Sequence, residues 1–304
     1  MAKRTKQRVG LRSWISGARL RTLPLAVAPV AVGFGAASAM QSQSVALTLL
    51  ALAVAVFLQI GVNYANDYSD GIRGTDDFRV GPMRLTGSGL VEPKRVRNLA
   101  FVFFGLAGAA GLTIVVLTQL WWFIAVGAAC IVAAWFYTGG KKPYGYAGFG
   151  ELFVFVFFGL VATFGTVAIQ VKNFFTSADG LVWTSLGAVA MGLFASAVLM
   201  VNNIRDIDTD KAAGKKTLAV RVGRKWAKAI YLVFLWVPMI LLYPYVLVFQ
   251  LAGFAYFVLI LVLPLTLIVA TSESSREYIL ALKLTSYAAL AYGLLLAYGM
   301  FKIV

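Results

Sequence analysis

The chemistry-bearing residues of this chain concentrate in two short stretches, NYANDYSDGIRGTDD at 63–77 and NNIRDIDTD at 202–210. Together they hold seven of its twelve acidic residues. In the first, Asn63 precedes Asp67 by four positions and Asp70 follows three later; in the second, Asn202, Asp206 and Asp210 repeat at intervals of four. On a helix, such offsets return to one face, so each stretch predicts an acidic stripe. Carboxylates beside long apolar segments are costly unless they bind something, and the natural occupant is a cation. The chain has no histidine and a single cysteine, Cys130, within an apolar run. Zinc sites of the usual kind, histidine ligation of haem and histidine acid–base chemistry are therefore excluded. A metal held here must be hard and oxygen-bound, magnesium or calcium.

Each stripe runs into a basic, glycine-containing segment. Arg73, Arg79, Arg84 and Gly87-Ser88-Gly89 follow the first; Lys211, Lys215, Lys216 and Arg221 follow the second. Carboxylates flanked by lysine and arginine suit a diphosphate held through magnesium, with the metal between acid and phosphate oxygens and the cations covering the remaining charge. A divalent-cation transporter gains nothing from adjacent cations, which repel its cargo. A channel would place its ring of charges mid-span. Simple surface ion pairs are the competing reading, and the duplicated spacing argues against it. A secondary transporter for an anionic metabolite would need polar groups deep in several spans, where this chain's polar content is sparse, limited to small groups such as Thr113, Thr163, Thr166 and Ser196.

The elements that must position these residues are membrane helices. The 304 residues are 61% hydrophobic and 13% charged, with mean hydropathy +0.83, far from a soluble composition. About nine apolar segments recur, near 22–40, 44–65, 98–118, 120–137, 150–170, 181–201, 227–249, 251–271 and 279–301. The expected fold is all-α: a single polytopic domain over 1–304, its helices around one central cavity. Trp121-Trp122 and Tyr243-Pro244-Tyr245 read as interface markers. With the N-terminus cytoplasmic, only Lys172 and Lys302 of the 27 lysines and arginines fall outside, a strong positive-inside bias. Both acidic stretches then open into cytoplasmic loops, 66–97 and 202–226, at the cell membrane. The basic segment 1–21 would meet anionic membrane lipid. The net charge of +15 is read as topology, and no nucleic-acid partner is expected. Ala37-Ser38-Ala39 resembles a leader-peptidase site, but the preceding run is long for a leader, and Arg19, Arg21 and Pro24 read as the start of a structured helix.

Four stretches carry a family resemblance: NDYSDGIRGTDD at 66–77, GPMRLTGSG at 81–89, YTGGKKPYGYAGFGELFVFVFFG at 137–159 and NNIRDIDTDKAAGKKTLAVRVG at 202–223. As a set they resemble the UbiA superfamily of intramembrane aromatic prenyltransferases, most of all its 1,4-dihydroxy-2-naphthoate branch in menaquinone synthesis. The superfamily pattern wants an acid where Gly74 stands, with Asp76 two residues further on, and this departure fits that branch. The resemblance implies Mg2+ as cofactor: Asp67 and Asp70, with Asn63, Asn66 and Asp76, would hold one ion, and Asp206 and Asp210, with Asn202, a second. Arg73, Arg84, Lys215 and Lys216 would take the charge developing on diphosphate, with Lys142 a further substrate contact. Tyr64, Tyr68, Tyr137 and Tyr144 would steady an allylic cation. The implied reaction moves a polyprenyl group from polyprenyl diphosphate to 1,4-dihydroxy-2-naphthoate, with loss of CO2 and diphosphate, giving demethylmenaquinone. Another aromatic acceptor stays open, because no residue-level argument selects the ring. Glu151 is left as either a charge at a helix N-terminus or a substrate contact.

Overall fold

Prolines and side-chain hydroxyls open the helices of this chain, as seen in a computed structural model that describes residues 10–75 and 84–301. Asp76, Arg79, the start of the 81–89 glycine segment, Lys3 to Arg8 and Lys302 lie outside the described residues. Pro24 and Pro93 occupy first-turn positions, where a missing N–H costs nothing. Ser44, Ser177 and Thr217 cap their helices by accepting a backbone N–H, and Ser274 with Glu277 forms a reciprocal capping box.

The chain runs as α1 (Leu11–Ala18), α2 (Pro24–Ala39), α3 (Val45–Ile72), α4 (Pro93–Thr118), α5 (Phe123–Phe136), α6 (Gly150–Ala168), α7 (Ala178–Arg205), α8 (Ile207–Ala212), α9 (Leu218–Val248), α10 (Gln250–Thr271) and α11 (Ser275–Met300). No strand occurs among the described residues. All nine apolar segments are helical, and among the described residues seven helices, α3, α4, α6, α7, α9, α10 and α11, are long and apolar enough to cross a membrane. An eighth results if Leu11–Thr22 and α2, bent by 46° at their junction, count as one span. The difference from nine is one of length. The 14 residues of α5 and the 16 of α2 rise only about 21 and 24 Å, short of a hydrocarbon core of about 30 Å. The result is a multi-pass, all-helical membrane protein.

Burial identifies the central post. In α7, 72% of the apolar window is buried, against 11% in α3. α7 packs on α9, α11 and α6, and α11 packs on α2. Close approach of α6 to α7 depends on Gly159, where a Cβ would meet the Cα of Gly192 at 2.5 Å. That contact coincides with a π-helical stretch, Phe155–Val161, which widens α6 as it passes the post. α3 pairs mainly with α4. Between these two groups, α2 to α7 wall a cavity of 660 Å³.

Candidate active site

At one end of the cavity the two acidic stretches converge. Asp70, in the last turn of α3, and Asp210, on α8, both line it, as do Asn66, Asn202 and Asp206. The second stripe does not stand on one continuous helix: α7 ends at Arg205 and Asp206 leaves helical geometry (φ −97°, ψ 9°). Its i to i+4 hydrogen bonding nonetheless continues, Asp206 N–H to Asn202 O at 3.2 Å and Asp210 N–H to Asp206 O at 2.8 Å. A bend therefore replaces the expected straight stripe and turns Asp210 towards α3.

Lys215 joins the halves. Its ammonium lies 3.7 Å from Asp70 Oδ1 and 3.6 Å from Asp210 Oδ1, and 4.5 Å above the Tyr146 ring. The turn that delivers it closes through Lys215 N–H to Asp210 O at 2.8 Å and Lys216 N–H to Tyr146 O at 2.8 Å. Asp70 also pairs with Arg84 at 3.3 Å and accepts a hydrogen bond from the Tyr146 hydroxyl. Burial, reinforced by Asp70, raises the Tyr146 phenol's pKa, so it remains a donor. Asn66, 7% exposed, accepts from the Thr138 hydroxyl at 2.8 Å. Tyr137 and Tyr144 form an edge-to-face pair 5.5 Å apart, and Tyr144 stacks on Phe153 at 4.1 Å, giving the cavity an aromatic wall.

Several expected residues stand elsewhere. Asp67 is 1% exposed and turned away from the cavity: its two oxygens accept the backbone N–H groups of Leu85 and Thr86 at 2.9 and 2.8 Å. It clamps the segment carrying Arg84. Asp67 and Asp70, three residues apart, differ by about 60° around the helix, enough for one to face the loop and the other the cavity. Asn63 lines the cavity but spends both amide hydrogens on Ala18 O (2.9 Å) and Thr22 Oγ1 (3.1 Å), away from the acidic cluster. Arg73 donates to the carbonyls of Thr138 and Gly140 and is exposed. Lys216 and Lys142 are also exposed, and Tyr68 stacks on Trp135 at 6.1 Å; none of these four lines the cavity. Tyr64 hydrogen-bonds the Trp14 carbonyl. Asp76 lies outside the described residues.

Other residues emerge only in three dimensions. Arg205 forks onto Asp206, Nε to Oδ1 at 2.7 Å and Nη2 to Oδ2 at 2.6 Å, and Nη2 also reaches Asn202 Oδ1 at 2.9 Å. Its position beside Asp206 in sequence was the only available signal. Tyr146 stands two residues beyond the tyrosine singled out from the same segment. Glu151 is 4% exposed and accepts from Asn203 Nδ2 at 2.9 Å, while its carbonyl accepts from Ser196 at 3.0 Å. It therefore ties α6 to α7 behind the cavity wall to which Asn203 contributes.

Among the described residues, no three acidic, cysteine or histidine side chains gather at one point. The donor set nonetheless fits magnesium. Asp70 and Asp210 bring hard oxygens from two separate motifs to either side of one cationic group, Lys215, and Asn66 and Asn202, from α3 and α7, line the same cavity.

The profile of the UbiA prenyltransferase family matches residues 26–278. The chain is 50% identical over 219 residues to the 1,4-dihydroxy-2-naphthoate octaprenyltransferase of Mycobacterium tuberculosis, covering 72% of each chain. It is 34% identical over 226 residues to the enzyme of the same name from Escherichia coli, covering 72% of this chain and 71% of that one. In fold it is similar to a UbiA homolog from Archaeoglobus fulgidus bound to GPP and Mg2+, with a TM-score of 0.66 at 16% identity over 93% of this chain and 99% of that one.

Proposed function

The chain belongs to the UbiA prenyltransferase family and is an aromatic prenyltransferase; from that premise we propose that it moves a polyprenyl group from polyprenyl diphosphate to 1,4-dihydroxy-2-naphthoate, releasing CO2 and diphosphate and giving demethylmenaquinone. The observation that carries this reading is the meeting of Asp70 and Asp210 across Lys215 at the mouth of a largely apolar cavity. Asp70 and Asp210, with Asn66 and Asn202, would hold Mg2+, which when bound neutralises diphosphate and polarises the bond to be broken.

The protein's own groups complete the arrangement. Lys215 and Arg84 are the cations nearest Asp70, placed to follow charge onto the departing diphosphate. Tyr146 donates to the same Asp70 oxygen that Lys215 approaches and so orients the carboxylate. Departure of diphosphate leaves an allylic cation. Tyr137, Tyr144 and Phe153 border the space it would occupy, and an aromatic ring presented to a desolvated cation contributes roughly 1–2 kcal/mol. The electron-rich ring then attacks the allylic carbon. Val54, Leu58, Leu112, Ile131, Phe157 and Val161 line the apolar remainder of the cavity, suited to an isoprenoid that continues towards lipid. The charge bias supports a cytoplasmic-facing acidic end of the cavity, at the cell membrane.

The test is prenyl transfer by purified protein in detergent, supplied with 1,4-dihydroxy-2-naphthoate, a polyprenyl diphosphate and Mg2+. Metal-dependent demethylmenaquinone that disappears in Asp70→Ala is the expected product. Transfer to hydroxybenzoate in preference to the naphthoate would discard the proposed acceptor.

A further inference from the structure

Deeper in the same cavity lies a second polar group, set apart from the acidic cluster. Thr22 donates its hydroxyl hydrogen to Arg19 O at 2.9 Å, so its oxygen can only accept from the two amides beside it. Those are Gln59 Nε2 at 2.8 Å and Asn63 Nδ2 at 3.1 Å, the latter also reaching Ala18 O. Both carboxamides are thereby fixed in orientation. Gln59, 6% exposed, is left with a buried Oε1 that has no hydrogen-bond donor among the described residues. Asn63, 3% exposed, has committed both amide hydrogens, and its Oδ1 accepts from none of those residues. Both side chains line the cavity.

Gln59 Oε1 is a buried acceptor without a donor, which is costly, and with Asn63 Oδ1 one turn further along the helix it calls for a ligand with two donors. We propose that Gln59 and Asn63 form the subsite that receives the two hydroxyl groups of the acceptor ring, an inference that rests on the aromatic acceptor proposed above. Residues four apart on a helix have Cβ atoms about 6 Å apart, a spacing that suits oxygens at opposite ends of one ring. Asn63 lies seven residues from Asp70, about 10 Å along α3, so the ring sits below the diphosphate, on the side where the allylic carbon emerges. Hydrogen bonds from the ring hydroxyls to these oxygens push electron density into the ring and favour its attack. The subsite also selects oxidation state: a quinone, or a ring without hydroxyls, offers no hydrogen to either amide.

Equilibrium binding to the full chain in nanodiscs tests this, with 1,4-dihydroxy-2-naphthoate compared against 2-naphthoate, which keeps the carboxylate and lacks both hydroxyls. Wild-type protein should bind the dihydroxy acid about 100-fold more tightly, tenfold per hydrogen bond. Gln59→Leu should lose about tenfold for the dihydroxy acid alone, with binding of polyprenyl diphosphate and Mg2+ unchanged. Equal binding of the two acids by wild type, or a Gln59→Leu loss that is the same for both, overturns the subsite while leaving the naphthoate acceptor standing. If neither acid binds wild type while polyprenyl diphosphate does, the acceptor reading itself fails and the subsite falls with it. Should Gln59→Leu not bind polyprenyl diphosphate, the wild-type comparison decides alone.

Discussion

Replacing Asp67 with alanine separates two roles that a carboxylate in this motif can play. If Asp67 holds the 84–89 segment, its loss removes the acceptor from two buried backbone N–H groups, Leu85 at 2.9 Å and Thr86 at 2.8 Å. Hydrogen bonds to a charged partner contribute roughly 1.5–3 kcal/mol each. Partial rescue by water should leave a net destabilisation of about 3 kcal/mol for the pair. The segment would also lose its anchor one residue after Arg84, and the pairing of Arg84 with Asp70 at 3.3 Å would loosen. Activity should therefore fall, but through Arg84 and not through the metal. Denaturant unfolding in detergent reads the first effect, and a Mg2+ titration of residual prenyl transfer reads the second. The expected pattern is a marked loss of stability with half-saturation by Mg2+ within about twofold of wild type, and Asp67→Asn, which keeps one acceptor, should lie midway in stability. An Asp67→Ala protein as stable as wild type, with its Mg2+ requirement raised tenfold or more, would refute the clamp and make Asp67 a ligand.

Lys215→Met removes the cation shared by Asp70 and Asp210 and should lower kcat/KM for polyprenyl diphosphate about 100-fold, or about 2.7 kcal/mol; an unchanged value would place Lys215 outside the diphosphate site. Arg205→Ala removes the two short hydrogen bonds that the guanidinium gives Asp206. A loss of roughly 3–5 kcal/mol in unfolding free energy is expected, with little recovery in Arg205→Lys, which lacks the planar fork. Tyr146→Phe deletes the donor to Asp70 and should cost about tenfold in kcat without affecting binding of the acceptor. Gly111 borders the cavity, and a Cβ there meets only Val54 at 3.9 Å, so Gly111→Leu should narrow the apolar channel. Transfer from long polyprenyl donors should fall, while transfer from a ten-carbon donor should persist in a parallel assay.

Much of the architecture was legible because membrane helices announce themselves by composition. Every apolar segment proved helical, and α2 and α5 are shorter than the apolar runs that contain them. The site was legible in kind and only partly in detail. Spacing marked Asn63, Asp67 and Asp70, and the family resemblance added Asn66; Asn63–Asp67 and Asn66–Asp70 are the same pattern offset by three. Which pair faces the cavity depends on what packs behind α3, and residues 84–86, which claim Asp67, are distant in sequence. Arg73 and Lys216 were equally plausible from charge alone. Their backbone surroundings divert them: the guanidinium of Arg73 is taken by carbonyls, and the peptide of Lys216 serves the Tyr146 turn. Tyr146 and Arg205 lay inside the quoted family stretches without being singled out, and the folding of 137–147 and the bend at Asp206 gave them roles.

Gln59, Asn63, Asn66 and Asp70 all line the cavity from α3 at intervals of four, three and four. One helix face thus acts as a ruler whose marks cannot be moved singly. A one-residue insertion between Asn63 and Asn66 would rotate everything beyond it by about 100°, swinging Asp70 off the cavity while Gln59 and Asn63 stayed in place. Point substitutions along α3 can be graded in effect, whereas changes in its length cannot, and any drift in this stretch must proceed by exchanging side chains at a fixed count.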